Sequence, residues 1–230
     1  MSTPTSDQEY IAKLTAGWVT VHQYRYFYYL ANELAYLALK DGHENDAFRH
    51  AAGTVVMSYT TLEALFNHLL FSDGSPLKHL HDGMSTTLRN RVERISLPEK
   101  IELALRFHPE ARPDQLKPDR EPYQSFDLLR QLRNLLIHYV PERELVWSAS
   151  GEHTRTVQKL ERALLGRFEF IQPSEIQPSD FTKAFVKRIF NRNCARWAFE
   201  RVAPFIDSLC ESLQLLPIKL DVVWNLSEVA

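Results

Sequence analysis

The chain has 230 residues, and 27 Lys and Arg stand against 29 Asp and Glu, a formal net charge of −2. That balance excludes a global basic field of the kind dedicated duplex-DNA binders carry, so any nucleic-acid contact must come from a local patch. A composition 44% hydrophobic and 24% charged excludes a disordered chain, and seven glycines against 12 prolines favour long helices over turn-rich β folds.

The N-terminal stretch Met1 to Glu9 is polar and lacks the apolar core of a secretion signal, which predicts a cytoplasmic protein. A first helix is predicted from Asp7 to Lys40, with Asp41-Gly42 as its stop. Its apolar run from Tyr24 to Leu39 is interrupted by Arg25, Asn32 and Glu33, which argues against a membrane span. The aromatic cluster Tyr24, Tyr26, Phe27, Tyr28 and Tyr29 reads as helix packing rather than a base-stacking platform. A second helix is predicted from Asn45 to Phe71. Val56, Tyr59, Phe66 and Leu70 form an apolar arc on it, and Glu63 falls inside the arc. A buried carboxylate needs a partner, and an arginine of a later helix is the obvious one. Such a pair would either fix helix packing or support a site.

After Phe71 the residues Gly, His and Asp dominate, and His79-Leu80-His81-Asp82 reads as a loop with solvated histidines rather than a metal site. Short helices follow around Arg89 to Arg94 and from Leu97-Pro98-Glu99-Lys100 to His108. Pro109 to Pro122 reads as an exposed connection. Tyr123 to Tyr139 is predicted as a helix stopped by Pro141. Glu144 to Trp147 and Arg167 to Ile171 read as extended pieces, with a short helix from Thr156 to Leu165 between them. Asp180 to Leu215 is predicted as a last long helix, interrupted or kinked near Pro204. Cys194 and Cys210 would then lie about 24 Å apart on one rod, too far for a disulfide, and reduced thiols fit the cytosol.

The chemistry concentrates in Arg130-Gln-Leu-Arg-Asn-Leu-Leu-Ile-His-Tyr139. At about 100° per residue, Leu128, Leu132, Leu135, Leu136 and Tyr139 share one stripe, and Arg130, Arg133, Asn134 and His138 take the opposite side. Ile137 sits among these polar groups, away from the core, which suggests a second subunit covering the face. Arginine holds phosphate with two parallel bonds, and histidine exchanges protons near neutral pH. The basic residues Arg89, Arg91, Arg94, Lys187, Arg188, Arg192 and Arg196 read as solvated helix faces, and as backbone contacts if RNA is the substrate.

Arg133-Asn134-Leu-Leu-Ile-His138 resembles the signature of the HEPN superfamily: an Arg, a polar residue, about three variable residues, then His. Thr60 to Asn67, with Glu63, looks like the family's acidic residue in an earlier helix. Leu97-Pro98-Glu99-Lys100 looks like a recurring element before the signature helix, and Cys194-Ala-Arg-Trp-Ala198 resembles a final-helix motif. The likeness spans roughly residues 47 to 213. It implies an all-α, HEPN-like bundle with a small irregular or β-hairpin insertion after the signature helix. The whole chain, 1–230, would be one domain: an N-terminal helix at 1–44, a core bundle at 45–215 and a tail at 216–230. It further implies a homodimer with no membrane contact, no cofactor and no metal, cleaving RNA by attack of a ribose 2′-hydroxyl on the adjacent phosphate. His138 would be the acid-base group, Arg133 would hold phosphate and Asn134 would orient it, with Glu63 and Arg130 in support. An antitoxin or regulatory protein is the implied partner of a toxin or defence effector. One toxin subgroup carries a tyrosine two residues after the histidine; this chain has Val140 there, and Tyr139 adjoins His138. Two other readings remain open: a catalytically silent HEPN-like dimer acting as a binding or regulatory module, and a helical adaptor without a nucleic-acid role.

Overall fold

The computed structural model describes residues 23–138, 189–220 and 222–228. Within them all regular structure is helical, without strands. The elements are α1 (Gln23–Lys40), α2 (Glu44–Phe71), α3 (Lys78–Asp82), α4 (Thr86–Val92), α5 (Leu97–Phe107), α6 (Tyr123–Ile137), α7 (Arg192–Glu200) and α8 (Val202–Ser212). Single 3₁₀ turns lie at Pro113–Gln115 and Leu226–Glu228. The extended pieces predicted at 144–147 and 167–171, the helix at 156–165 and residues 7–22 and 180–188 of the predicted long helices lie outside the described residues. No described helix is long and apolar enough to cross a membrane.

Helices α1 and α2 form a hairpin, and small side chains decide how closely they approach. Ala31, Ala35, Ala38 and Ala51 are fully buried. A Cβ added at Gly53 would stand 3.0 Å from Leu34 Cδ1. Buried Thr54 and Thr61 donate to the carbonyls of His50 and Met57 at 2.8 Å, so neither hydroxyl is orphaned. At the turn, His50 Nδ1 meets Asp41 Oδ2 at 2.6 Å, and Arg192 donates to the Asp41 carbonyl, tying the start of α7 to the hairpin.

Helices α6 and α7 pack on α2, and α8 packs on both α2 and α6. The joint is aromatic: Phe126 stacks on Phe205 at 4.3 Å and on Tyr59 at 6.1 Å between ring centroids. Tyr28 of α1 lies 4.8 Å from Phe199 of α7. Thus Tyr24 and Tyr28 of the aromatic cluster enter the core as expected, while Tyr26 is 64% exposed.

Three predicted elements differ. The histidine-rich loop folds as α3. Ser75 Oγ donates to the Leu69 carbonyl at 2.7 Å and folds the chain back on α2, which lets Leu77 bury completely. The last long helix is interrupted near Pro204, as the sequence predicts, and also at Asn191, which it does not. At Asn191 the side chain accepts from the Cys194 amide at 3.0 Å and starts α7 afresh. At Arg201 the chain turns because Pro204 has no N–H for the Glu200 carbonyl and its ring crowds that oxygen. Both cysteines are free and buried, now on separate helices. Finally, α6 ends at Ile137 rather than Tyr139. Pro141 cannot donate to the Ile137 carbonyl, and a residue preceding proline disfavours helical dihedrals.

Candidate functional site

The last turns of α6 carry Arg133 and Asn134, its C-terminal cap carries His138, and α2 forms the floor beneath them. Along α2, Tyr59, Glu63 and Asn67 recur every fourth residue and share one face. Tyr59 is 3% exposed, and Arg133 of α6 lays its guanidinium over the Tyr59 ring, 5.5 Å from the centroid. Arg133 Nη1 donates to Asn134 Oδ1 at 3.1 Å. Its Nε is buried, and among the described residues it has no acceptor and no carboxylate lies within ion-pair distance of the guanidinium. A half-buried guanidinium with an unused buried donor is a receptive partner for an anion.

Arg130 does not join Glu63. Its Nε and Nη2 donate to Asp127 Oδ1 at 2.9 and 2.6 Å, one turn earlier on the same helix. Gln131 takes the other carboxylate oxygen at 2.7 Å. The expected Glu63–arginine pair is therefore absent among the described residues: Asp127 is nearer in sequence and already oriented by the helix. Glu63 is half-buried and lies in the field of two groups, the Tyr59 phenol and the Lys100 amine. Lys100 of α5 is buried, with Nζ donating to Asn67 Oδ1 at 2.8 Å and to the Glu93 carbonyl at 3.2 Å. Burial pulls the Lys100 amine below the usual lysine range, and the Glu63 charge opposes that pull.

His138 stands at the C-terminal cap of α6, not within the helix. Its N–H still donates to the Asn134 carbonyl at 2.9 Å, but ψ of 52° takes the chain off the helical path. The imidazole is exposed, and among the described residues it has no hydrogen-bond partner. Of the wheel's apolar stripe, Leu128 and Leu132 are buried, Leu135 and Leu136 pack at the core's edge, and Tyr139 lies outside the described residues. Ile137 is 47% exposed beside the polar groups, as the wheel placed it.

Sequence reasoning counted Tyr59 only as core. Burial raises its phenol well above the usual tyrosine range, Glu63 adds to the rise, and Arg130 and Arg133 oppose it. Its hydroxyl, without a hydrogen-bond partner among the described residues, stays a proton donor at any physiological pH. The available signal was its four-residue spacing from Glu63.

The expected basic contacts are partly committed elsewhere. Arg89 donates to the Met84 and Asp82 carbonyls at 3.1 and 2.7 Å, and Arg196 donates to the Leu226 carbonyl at 3.1 Å. Arg91 and Arg94 are exposed, while Lys187 and Arg188 lie outside the described residues. His79 is exposed, as expected, and meets His108 at 5.4 Å, while His81 departs from the expectation by packing edge-on against Phe71 at 5.1 Å. Among the described residues no three His, Cys, Asp or Glu side chains gather as a metal-binding group. Comparison of the chain with family models, with curated proteins and with solved structures gives no match.

Proposed function

We propose that the protein is a HEPN-like endoribonuclease that cleaves RNA without a metal ion, acting as a toxin or defence effector. The observation that carries this reading is Arg133: a guanidinium with no carboxylate partner among the described residues, held on the Tyr59 ring beside Asn134, one turn before an exposed histidine. Arg133 binds the scissile phosphate and stabilises the charge that builds on it. Asn134 braces the guanidinium. His138 accepts the proton of the ribose 2′-hydroxyl as that oxygen attacks phosphorus, or donates a proton to the departing 5′-oxygen. The P–O5′ bond breaks, leaving a 2′,3′-cyclic phosphate and a 5′-hydroxyl. A second reading, the silent dimeric module, draws on His138 standing at a helix cap where, among the described residues, no group orients its imidazole.

Incubation of purified protein with RNA in excess EDTA tests the proposal. Wild type yields cyclic-phosphate ends. His138→Ala loses about 10²- to 10⁴-fold in rate, the usual contribution of a general acid or base. Its melting temperature stays near wild type, because exposed positions change stability by no more than about 0.5 kcal/mol. Arg133→Lys keeps the charge, loses the fork and is impaired. Cleavage that stops in chelator and returns with magnesium overturns the mechanism; a His138→Ala variant as fast as wild type overturns the assignment of the acid-base group.

A further inference from the structure

Asn32 is fully buried in the middle of α1, on the face that otherwise carries Tyr24, Tyr28, Ala31 and Ala35. A polar side chain there must find its hydrogen bonds inside the protein. It finds them all on the backbone of the C-terminal tail. Oδ1 accepts from the amides of Val223 at 3.2 Å and Trp224 at 2.7 Å, and Nδ2 donates to the Trp224 carbonyl at 3.0 Å. Two donors and one acceptor from successive peptide units fix the orientation of the amide. The pattern reads main chain, not side chains, much as a neighbouring strand would.

Side-chain seats flank this reader. Trp224 stacks on Tyr36 at 4.8 Å and 25°, yet remains 41% exposed. Leu226 is buried, and Arg196 Nη2 of α7 donates to its carbonyl at 3.1 Å. Arg196 Nε is also buried but has no acceptor among the described residues, so the tail leaves one donor of the groove unused. Between the end of α8 and the tail, residues 215–220 carry no regular structure.

We propose that Asn32, Tyr36 and Arg196 form a peptide-binding site, and that the chain's own tail is its exchangeable cis ligand. The ligand class is an extended peptide with an aromatic residue at the Asn32 position and a leucine two residues on. Tethering raises the tail's effective concentration to the millimolar range typical of short linkers, so a peptide in trans competes only when the tail is weakened. This inference does not depend on the ribonuclease reading.

The experiment uses the full chain carrying Trp224→Ala and Leu226→Ala, and a dye-labelled peptide of residues 222–228. The double variant is expected to bind the peptide saturably, and wild type at least tenfold more weakly because its groove is filled. A peptide N-methylated at the Trp224 amide, which cannot donate to Asn32, is expected to lose at least tenfold on the same variant. That control leaves the protein untouched. A folded double variant that ignores the peptide, or that binds the N-methylated form equally well, overturns the proposal. If circular dichroism shows the double variant unfolded, hydrogen exchange of the Trp224 amide in wild type decides. Exchange faster than the α1 core amides marks a separable tail, and exchange at the rate of global unfolding overturns it.

Discussion

Tyr59 shows how one residue can join the core to the candidate site. Its ring completes the stack with Phe126 and supports the Arg133 guanidinium, while its hydroxyl faces a cluster of charges from α2 and α6. These roles separate by substitution. Tyr59→Phe keeps the ring and removes only the phenol. If that phenol donates to the phosphate held by Arg133, RNA cleavage falls by about ten- to a hundred-fold, the worth of a hydrogen bond to a charged group. The melting temperature barely moves. Tyr59→Ala also removes the ring and lowers stability by about 3–5 kcal/mol, the usual cost of truncating a buried aromatic. A Tyr59→Phe variant with undiminished cleavage would place the phenol outside the chemistry. Glu63 teaches the complementary lesson. The helical wheel placed it correctly near the apolar arc of α2, yet named the wrong partner, because Asp127 engages Arg130 within α6 itself. A wheel ranks faces; it does not rank competing carboxylates.

At the level of elements, periodicity located α2 and α5 within a residue or two, and capping chemistry explains why. Helix α5 starts where Glu99 turns back on Ser96, accepting from its amide at 2.8 Å and its hydroxyl at 2.5 Å. Those two donors hold the Glu99 carboxyl below the usual range. The unfolded chain lacks them, so their contribution to stability is present above the ordinary carboxylate range and lost as pH falls through the depressed folded value. Glu99→Ala should therefore melt lower than wild type at neutral pH, with the gap closing in acid. A gap constant from pH 7 down to pH 2 would rule this out. The elements that were not legible depended on distant contacts. Nothing local marks 78–82 as helical; Leu77 buried beneath α2 does. The unbroken apolar rhythm from 189 to 213 hid the cap at Asn191, which binds the Cys194 amide only once the chain has turned. Phe126 joins α2, α6 and α8, and Phe126→Ala should cost about 3–5 kcal/mol in urea unfolding and cut cleavage only through the loss of folded protein.

For the whole molecule, the face of α6 poses a problem of proton supply. Cleavage of a phosphodiester needs one group to take the 2′ proton and another to protonate the 5′-oxygen. Helix α6 and its cap bring one histidine, His138. A second copy docked face to face would bring another, and would cover Ile137, which is 47% exposed between Arg133 and that histidine. Two-fold symmetry makes such a contact self-complementary: Ile137 of one copy meets the same surface of the other, and each His138 reaches the shared cleft. The expected result is a dimer of wild type by sedimentation at micromolar concentration. Ile137→Asp puts two like charges on the contact, so it should sediment as a monomer with an unchanged helical spectrum, and RNA cleavage should vanish although Arg133, Asn134 and His138 are all intact. Mixing His138→Ala with Arg133→Ala then supplies the decisive comparison. If the cleft is shared, mixed dimers recover part of the activity that each parent lacks; if each chain works alone, the mixture stays as inactive as its components. A monomeric wild type that cleaves RNA would refute the shared cleft and leave Ile137 an ordinary exposed side chain.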